Sequence, residues 1–267
     1  MESSDYLMVA ASFNERSKNY GKNVWHRQYA ERLVELTPIS PGDFVLDAGT
    51  GTGFAALAIA KRVGPSGRVL GVDVSPGMLE EAQIALSTAF VQNIELSKAD
   101  ATDLNQHASS TFDVVVCAAS LLYMSVSKAL AEWLRLLKPG GILAFSTMRK
   151  GSPLAGQLFR ECAAAFGVSL NDPSEELGSQ ERCRLALETS GFREIGVVQE
   201  TIEMSSLDLA QAWESNSRSA GHSAVRRLSL SDHEALRKRY EGLLKQAQKD
   251  DPQAISRANV LYAFGQK

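Results

Sequence analysis

The sequence predicts an α/β fold with a doubly wound, seven-stranded and mostly parallel sheet. The first observation is a short apolar run, residues 44–46, which leads into the turn Gly49-Thr50-Gly51-Thr52-Gly53. A strand buried on both faces of a parallel sheet is short and apolar, and closely spaced glycines let the backbone turn sharply. The second observation is Asp73, which ends the next strand-like run about twenty residues past the turn. Doubly wound sheets place an acid at this position, where it meets ribose hydroxyls.

The chain before the first strand is predicted to be helical. Residues 5–37 place apolar side chains at near-helical spacing, and Pro38 and Pro41 end the pattern. The segment 19–23 is polar and contains a glycine. We therefore expect a break or hinge between two helices at this segment.

Helices and strands alternate between the glycine turn and residue 150. We predict helices over residues 55–63, from Pro76 onward with Ser75 as N-cap, and through residues 131–137. The predicted strands are 69–73, 93–96, 111–118 and 142–147. Pro139-Gly140-Gly141 is expected to end the preceding helix and to form a turn.

The last third of the chain is expected to complete the sheet around a helical insertion. Residues 151–190 carry helical patches, 191–198 are predicted as the sixth strand, and 258–264 as the last. Residues 201–257 would then be inserted between these two strands. Ser231-Asp232-His233-Glu234 has the pattern of a capping box, and an apolar stripe follows it at helical spacing.

The composition is that of an ordinary soluble globular protein. The 267 residues are 44% hydrophobic and 22% charged, and the formal net charge of −3 implies no general attraction to nucleic acid or to anionic membranes. No apolar stretch approaches the roughly 18–20 residues of a membrane helix, and the N-terminus is too polar for a secretory signal. Cys117, Cys162 and Cys183 are widely spaced and suggest neither a disulfide framework nor a zinc site. We expect a cytoplasmic protein without a metal.

The motifs of the first half resemble one enzyme family. Phe54 stands where dinucleotide-binding proteins have the last glycine of Gly-x-Gly-x-x-Gly, which disfavours a nicotinamide-dependent oxidoreductase. Leu46-Asp47-Ala48-Gly49-Thr50-Gly51-Thr52-Gly53 is instead similar to the first motif of the class I S-adenosylmethionine-dependent methyltransferases. The acid at Asp73, the acid at Asp100 and the Pro-Gly-Gly turn follow in that family's order. The chain most resembles the ubiquinone/menaquinone-biosynthesis type and its small-molecule relatives, so the resemblance implies a Rossmann-like fold.

The resemblance implies S-adenosyl-L-methionine as the cofactor. By this resemblance, Asp73 would bind the ribose, and Asp100 with the Ala101 amide would recognise the adenine. Met78 would lie beneath the adenine ring, and the Ala118 carbonyl would accept a hydrogen bond from the amino group of the methionine. The cofactor-binding residues that it implies are Tyr20, Asp47, Gly49, Thr50, Gly51, Gly53, Asp73, Val74, Met78, Asp100, Ala101, Ala118 and Leu121.

We expect a single domain, residues 1–267, with 41–200 as the cofactor-binding core and 258–267 as the final strand. The resemblance implies that residues 1–40 form a helical lid over the cofactor. It hardly extends to the insertion, residues 201–257, which we interpret as a cap over the acceptor. Trp25 in the lid would lie near the site, or simply pack on the sheet. Leu121 and Leu122 would both line the methyl-transfer pocket.

The implied reaction is in-line transfer of a methyl group to oxygen, carbon or nitrogen of a small biosynthetic or secondary-metabolic acceptor. A general base would help with a weakly nucleophilic acceptor. The candidates are His26, then His222 and Tyr123, while Arg149 could steer an anionic acceptor. For each histidine, a packing or surface role is the alternative.

Three other functions stay open. The fold could bind S-adenosylmethionine but catalyse a cyclisation or rearrangement, it could be a non-catalytic binding protein, or the acceptor could be a macromolecule. The absence of a strongly basic composition argues against nucleic acid. We expect a monomer or a homodimer.

Overall fold

The computed structural model describes residues 3–21 and 23–267 and contains one seven-stranded sheet. Its spatial order is β3-β2-β1-β4-β5-β7-β6. The first five strands pair in parallel, whereas β7 is antiparallel to both β5 and β6. The strands are β1 (Phe44–Ala48), β2 (Arg68–Asp73), β3 (Ile94–Lys98), β4 (Phe112–Ala118), β5 (Leu137–Met148), β6 (Arg193–Glu203) and β7 (Arg257–Gln266). The predicted α/β class with a mostly parallel sheet is confirmed.

The helices follow the predicted alternation, and the break in the N-terminal segment falls where it was expected. They are α1 (Ser3–Tyr20), α2 (Val24–Leu36), α3 (Phe54–Val63), α4 (Pro76–Thr88), α5 (Val126–Leu136), α6 (Leu154–Ala164), α7 (Gln180–Thr189), α8 (Ser206–Ala210), α9 (Ala212–Ser217), α10 (Leu230–Asp250) and α11 (Pro252–Ile255). Two 3₁₀ segments, Leu121–Tyr123 and Ala220–Arg227, lie in loops. Ser75 caps α4 as predicted, because its side chain accepts from the Met78 amide at 3.2 Å.

Two apolar layers hold the sheet between its helices. Successive side chains of a strand go to opposite faces, so Leu46 packs on one side with Trp133 of α5, while Val45 packs on the other with Leu33 of α2. All four side chains are fully or almost fully excluded from solvent. This two-sided burial explains why β1 and β4 are short apolar runs, and it fixes the carboxyl edge of the sheet as the rigid base of the site described below.

Two local predictions were wrong. The N-cap of α10 is Ser229 rather than Ser231, because Ser229 Oγ accepts from the Asp232 amide at 3.1 Å and donates to the Asp232 carboxylate at 2.7 Å. The Pro139-Gly140-Gly141 segment is not a separate turn, since β5 begins directly after α5 at Leu137. The register with β4 shifts between the pairs Phe112↔Leu137 and Val114↔Ile142, so the motif forms an irregularity inside the strand.

The insertion between β6 and β7 packs against α6, a helix that precedes β6 in the chain. Phe159 of α6 is fully buried against Trp213 of α9 and Tyr240 of α10, with ring centroids 5.8 Å and 5.3 Å away. The Tyr240 hydroxyl also donates to the Ala155 carbonyl at 3.1 Å. Helix α6 and the insertion therefore form one helical layer, which we call the cap layer (154–164 and 204–256). The sequence placed α6 in the core instead.

Cys117, Cys162 and Cys183 are free thiols and are all buried. Across residues 3–21 and 23–267, no helix is both long and apolar enough to cross a membrane.

Trp133 gives a test of the packing beneath the sheet edge. Its indole N–H donates to the Ala101 carbonyl at 2.9 Å, and the ring is fully buried. Trp133→Phe removes this donor and part of the ring, so we expect the free energy of unfolding to fall by about 1–3 kcal/mol. Urea denaturation measures it. Trp213→Phe is the matched control, because Trp213 makes ring contacts in the cap layer. An equal loss in both variants would show that the hydrogen bond contributes nothing.

Candidate active site

The glycine turn places backbone amides at the carboxyl end of β1. The amides of Gly49 and Thr50 both donate to the Val72 carbonyl at 2.9 Å, which joins the turn to β2. Gly49 has a φ of +76°, and a Cβ there would lie 2.5 Å from the Ser120 side chain. A side chain at this position would therefore require both a strained backbone and a displaced neighbour. The turn is built to bring backbone, rather than side chains, to the sheet edge.

Asp73 lies beside this turn at the end of β2. One carboxylate oxygen accepts from the Gly51 amide at 2.9 Å and the other accepts from the Ser75 amide at 2.9 Å. Burial raises the pKa of the Asp73 carboxyl above its ordinary value, and these two hydrogen bonds oppose that shift. The acid is thus held in place by the backbone, and each oxygen keeps a lone pair for a ligand.

Asp47 is a buried acid of the site whose hydrogen bonding is incomplete. Its side chain is fully buried, and one carboxylate oxygen accepts from the Thr50 hydroxyl at 2.6 Å. The other oxygen, Oδ1, has no hydrogen-bond partner within the described residues. Burial, with the nearby charge of Asp73, raises the pKa of Asp47 to about 7. A buried carboxylate without a partner is costly, so this position favours a cationic ligand group.

The far end of the groove holds the second predicted acid. Asp100 follows β3 and accepts from the Thr102 amide and hydroxyl, each at 2.8 Å. Ala101 beside it is fixed by the bond from the Trp133 indole. Met78, at the start of α4, is 1% exposed and lines the same groove. Only the place of Trp133 on the apolar face of α5 could have indicated this role from the sequence.

Eleven of the predicted cofactor-binding residues line one groove along the carboxyl edge of the sheet. They are Tyr20, Asp47, Gly49, Thr50, Gly51, Asp73, Val74, Met78, Asp100, Ala101 and Ala118. Phe13, Thr52 and Phe54 line it as well, and the sequence analysis did not assign them to it.

Two predicted residues, Gly53 and Leu121, do not line the groove. Gly53 caps α3 in a left-handed conformation, with φ of +87°, and a Cβ there would touch Ala82 and Leu86 of α4 at 3.4 Å. Its role is to let the two helices approach each other. Leu121 is fully buried in the apolar layer below the sheet, whereas its neighbour Leu122 reaches the cavity described next. The 3₁₀ turn at this point directs consecutive side chains to different sides.

Helices α1 and α2 cover the groove. The Asn14 side-chain oxygen of α1 accepts from the Ser75 hydroxyl at 2.7 Å and from the Gly77 amide at 2.9 Å, which attaches α1 to the start of α4. Farther along, the Tyr20 ring stacks on His26 at 4.4 Å. Phe13 meets Tyr123 edge to face, with centroids 5.1 Å apart. An aromatic wall therefore closes the groove on the side away from the sheet.

A second cavity of about 550 Å³ lies between this wall and the cap layer. It is bounded by residues of α1, α2, α6, α9 and the 3₁₀ segment Ala220–Arg227. The groove and the cavity share five lining residues, which we call the junction: Tyr20, His26, Tyr29, Ala119 and Tyr123. All three candidate bases line this cavity, and two of them, His26 and Tyr123, are in the junction.

His26 is a neutral imidazole in this environment. Burial, and secondly the positive charge of Arg16, lowers the pKa of His26 to about 4. Its Nδ1 has no hydrogen-bond partner within the described residues. At neutral pH the imidazole therefore carries only one proton. The His26 side chain lines both the groove and the cavity.

His222 is held in a defined tautomer. Its Nδ1 lies 2.8 Å from the Asn216 carbonyl, which only accepts hydrogen bonds, so Nδ1 carries the proton when the ring is neutral. Burial lowers the pKa of His222, and its ring stacks on Phe159 at 5.1 Å. Nε2 thus presents a lone pair and has no partner within the described residues.

The arginine proposed to steer an anionic acceptor is in the wrong place. Arg149 is exposed and lines neither the groove nor the cavity. The cavity is lined instead by Arg16, Arg160 and Arg218. These three arginines could not be predicted from the sequence, because they come from α1, α6 and the insertion, which only the fold brings together.

Comparison with known proteins supports this description. A family model described as a methyltransferase domain matches residues 39–189. The demethylmenaquinone methyltransferase of Symbiobacterium thermophilum is 38% identical over 44% of this chain and 45% of its own length. The aklanonic acid methyltransferase DauC of Streptomyces sp. strain C5 is 32% identical over 55% of this chain and 68% of its own. The chain thus spans less than half of the first relative's length and about two thirds of the second's.

A solved structure agrees with the sequence relatives. The crystal structure of a SAM-dependent methyltransferase from Aquifex aeolicus superposes with a TM-score of 0.50 and is 26% identical, covering 66% of this chain and 83% of that one. The glycine turn, the acids Asp47, Asp73 and Asp100, and the strands that carry them all fall inside the matched region 39–189. The chain therefore belongs to the methyltransferase-domain family, as the order of its motifs predicted.

Proposed function

We propose that this protein transfers a methyl group from S-adenosylmethionine to a small-molecule acceptor. The observation that carries the proposal is the unpartnered Oδ1 of Asp47, buried at the end of β1 beside a turn of backbone amides. The α-amino group of the cofactor's methionyl end is a cation that fits this position. Family membership and the small-molecule methyltransferases among the relatives support the same reading.

The residues of the groove fit the remainder of the cofactor. Asp73 keeps lone pairs for ribose hydroxyls, and Asp100 with Ala101 lies where the adenine is expected. Met78 provides an apolar surface in the same groove. When bound, the cofactor supplies an activated methyl group on a positively charged sulfur.

The junction is where the acceptor and the methyl group are proposed to meet. Its residues line both the groove and a cavity of about 550 Å³, a volume within the range of small-molecule sites. The protein's main contribution would be to hold the acceptor in line and to exclude water, which is worth on the order of 7–11 kcal/mol in well-oriented reactions. Helices α1 and α2 would serve as the lid and the cap layer as the acceptor-side wall.

His26 is the proposed proton acceptor when the acceptor must lose a proton. It lies in the junction, it is neutral at physiological pH, and its Nδ1 is unpartnered. A base with a pKa of about 4 is weak. Its contribution is therefore expected near the lower end of the usual range of roughly 10²–10⁴-fold. His222 and Tyr123 line the same cavity and would hold the acceptor.

Asp47 gives a pH-dependent prediction. The free carboxyl has a pKa of about 7, and a bound cation favours its ionised form, so binding of S-adenosylmethionine should release a proton below pH 7 and tighten as the pH rises through 7. Asp47→Asn should bind more weakly and lose this pH dependence. Isothermal titration calorimetry in buffers of different ionisation enthalpy measures the released proton, and Asp103→Asn, an exposed change, is the control.

The same carboxyl should affect folding in the opposite direction. Its folded pKa is above its unfolded value, so the folded state binds the extra proton and stability is lost as the pH rises from about 4 to about 7. Asp47→Asn should therefore raise the free energy of unfolding above pH 7, by up to about 4 kcal/mol. A variant no more stable than wild type at pH 8, yet with unchanged cofactor affinity, would contradict both statements.

Asp73 tests the ribose assignment. Asp73→Ala should weaken S-adenosylmethionine binding by about 1–3 kcal/mol, because the ribose hydroxyls lose a charged partner. Asp113→Ala is the matched control, since Asp113 starts β4 at the opposite edge of the sheet and pairs with Lys138 at 2.7 Å. Equal affinity of Asp73→Ala and wild type would refute the assignment.

His26 tests the proposed proton acceptor. His26→Ala should leave cofactor affinity largely intact and lower the rate of methyl transfer by about 10²-fold. The readout is the formation of S-adenosylhomocysteine with an accepted substrate, and His107→Ala, in a loop remote from the cavity, is the control. Undiminished turnover would remove His26 from this role.

A further inference from the structure

The acceptor cavity contains three side chains with unsatisfied polar atoms. Arg16 Nη2, His26 Nδ1 and His222 Nε2 are each buried without a hydrogen-bond partner within the described residues. All three side chains line the same cavity. Buried polar atoms in native proteins are almost always satisfied, so a cluster of exceptions in one cavity indicates the polar groups of its ligand.

Arg16 differs from the other arginines of the cavity. Arg160 pairs with Asp172 at 2.8 Å, and Arg218 pairs with Glu214 at 2.9 Å. Across residues 3–21 and 23–267, Arg16 has no carboxylate within ion-pair distance. Its Nε donates to the Ser12 carbonyl at 3.3 Å. Its guanidinium lies 4.6 Å from the centre of the Phe13 ring. The side chain is thus positioned by its own helix, and its charge is not neutralised.

The acids that line the cavity do not compensate Arg16. Asp172 accepts from the Gly151 and Ser174 amides in addition to its pair with Arg160. Asp208 accepts from the Val24 and Ser205 amides and from the Ser205 hydroxyl, so its oxygens are engaged in capping α8. Each of these carboxylates already has its partners.

Neither histidine adds a positive charge to the cavity that could bind an anion. Burial is the main cause that lowers the pKa of both histidines; the positive charge of Arg16 adds to it at His26, and those of Arg160 and then Arg16 add to it at His222. Both rings are neutral at pH 7. His222 offers only a lone pair at Nε2, which attracts a hydroxyl or N–H and repels an anion. Within the described part of the chain, Arg16 is thus the arginine of the cavity without a carboxylate partner, and Asp208 is its carboxylate without a cationic one.

We propose that the acceptor carries a carboxylate, and that Arg16 binds it. Arg16 is half-buried, its Nε donates to the Ser12 carbonyl, and its buried Nη2 has no partner within the described residues. A guanidinium forms its strongest hydrogen bonds with a carboxylate, often in bidentate geometry. Arg16 is a specificity-determining residue in this account and takes no part in the proton transfer. The inference rests on the proposed function, because it names the class of acceptor for the same site.

The test compares two probes of equal shape, 2-naphthoate and 2-naphthamide, on wild-type protein saturated with S-adenosylhomocysteine. Calorimetry should show that the acid binds at least about tenfold more tightly than the amide, as expected for a charged partner of a buried donor. Arg16→Gln should bring the ratio close to one, and Arg16→Lys, which keeps the charge without the fork of donors, should give an intermediate ratio. Arg149→Gln is the matched control, because it removes an exposed arginine outside the cavity.

Each outcome of this comparison either supports or overturns the proposal that Arg16 binds a carboxylate of the acceptor. Equal affinity of wild type for both probes, including undetectable binding of both, would overturn the proposal, and so would an acid preference that survives in Arg16→Gln. The wild-type ratio alone keeps the test valid if Arg16→Gln does not fold. Failure of the wild type to bind S-adenosylhomocysteine would instead refute the proposed function, so the two failures are distinguishable.

Discussion

The structure depends on a buried carboxylate that the protein itself leaves half satisfied. Asp47 ends the most protected part of the sheet, where β1 is paired on both sides and covered on both faces. Only one of its oxygens has a partner, and Asp73 places a second acid nearby. Folding alone gains nothing from this arrangement. A ligand that brings a positive charge to the end of β1 resolves it, and the glycine turn keeps the approach free of side chains.

Charge is divided between the two halves of the site. The groove along the sheet edge is lined by Asp47, Asp73 and Asp100 and contains no lysine or arginine among its described lining residues. The cavity behind the junction contains an uncompensated arginine and two neutral histidines. In the proposed function the donor is a cation, and if the acceptor carries the carboxylate that we infer, the two partners are attracted to adjoining compartments. They meet only at the aromatic junction, so the same division that selects each partner also orients them.

The sequence predicted the sheet correctly, and eleven of the residues proposed to bind the cofactor line one groove, because the signals for both are local. A buried strand, a turn and an acid at the end of the next strand are contiguous signals, and the parallel topology places their carboxyl ends together without further information. Two of the predicted residues do not line the groove, because neighbouring residues of a turn point in different directions. Leu121 and Leu122 were treated alike, although the 3₁₀ turn buries the first and brings the second to the cavity. Gly53 has the same sequence signature as Gly49, but its neighbours are helices.

The acceptor side could not be predicted, because its parts are far apart in the chain. Helix α1 meets the insertion through a bond from the Ser12 hydroxyl to the Arg218 carbonyl at 2.9 Å, across 206 residues. Arg16 belongs to a polar stretch of α1 that resembles a solvated helix face when it is considered alone. Arg149 follows β5 and looked better placed, yet it is exposed. Only the packing of α1 against the cap layer shows that Arg16, and not Arg149, lines the cavity.

The most direct test of the central claim is a crystal structure of the protein with S-adenosylhomocysteine. The account predicts that the ligand lies along the carboxyl edge of β1, β2 and β3, with its amino group on Asp47 and its ribose on Asp73. Its sulfur should face the junction and the cavity beyond it. A groove that stays empty at saturating ligand, or a sulfur directed away from the junction, would contradict it.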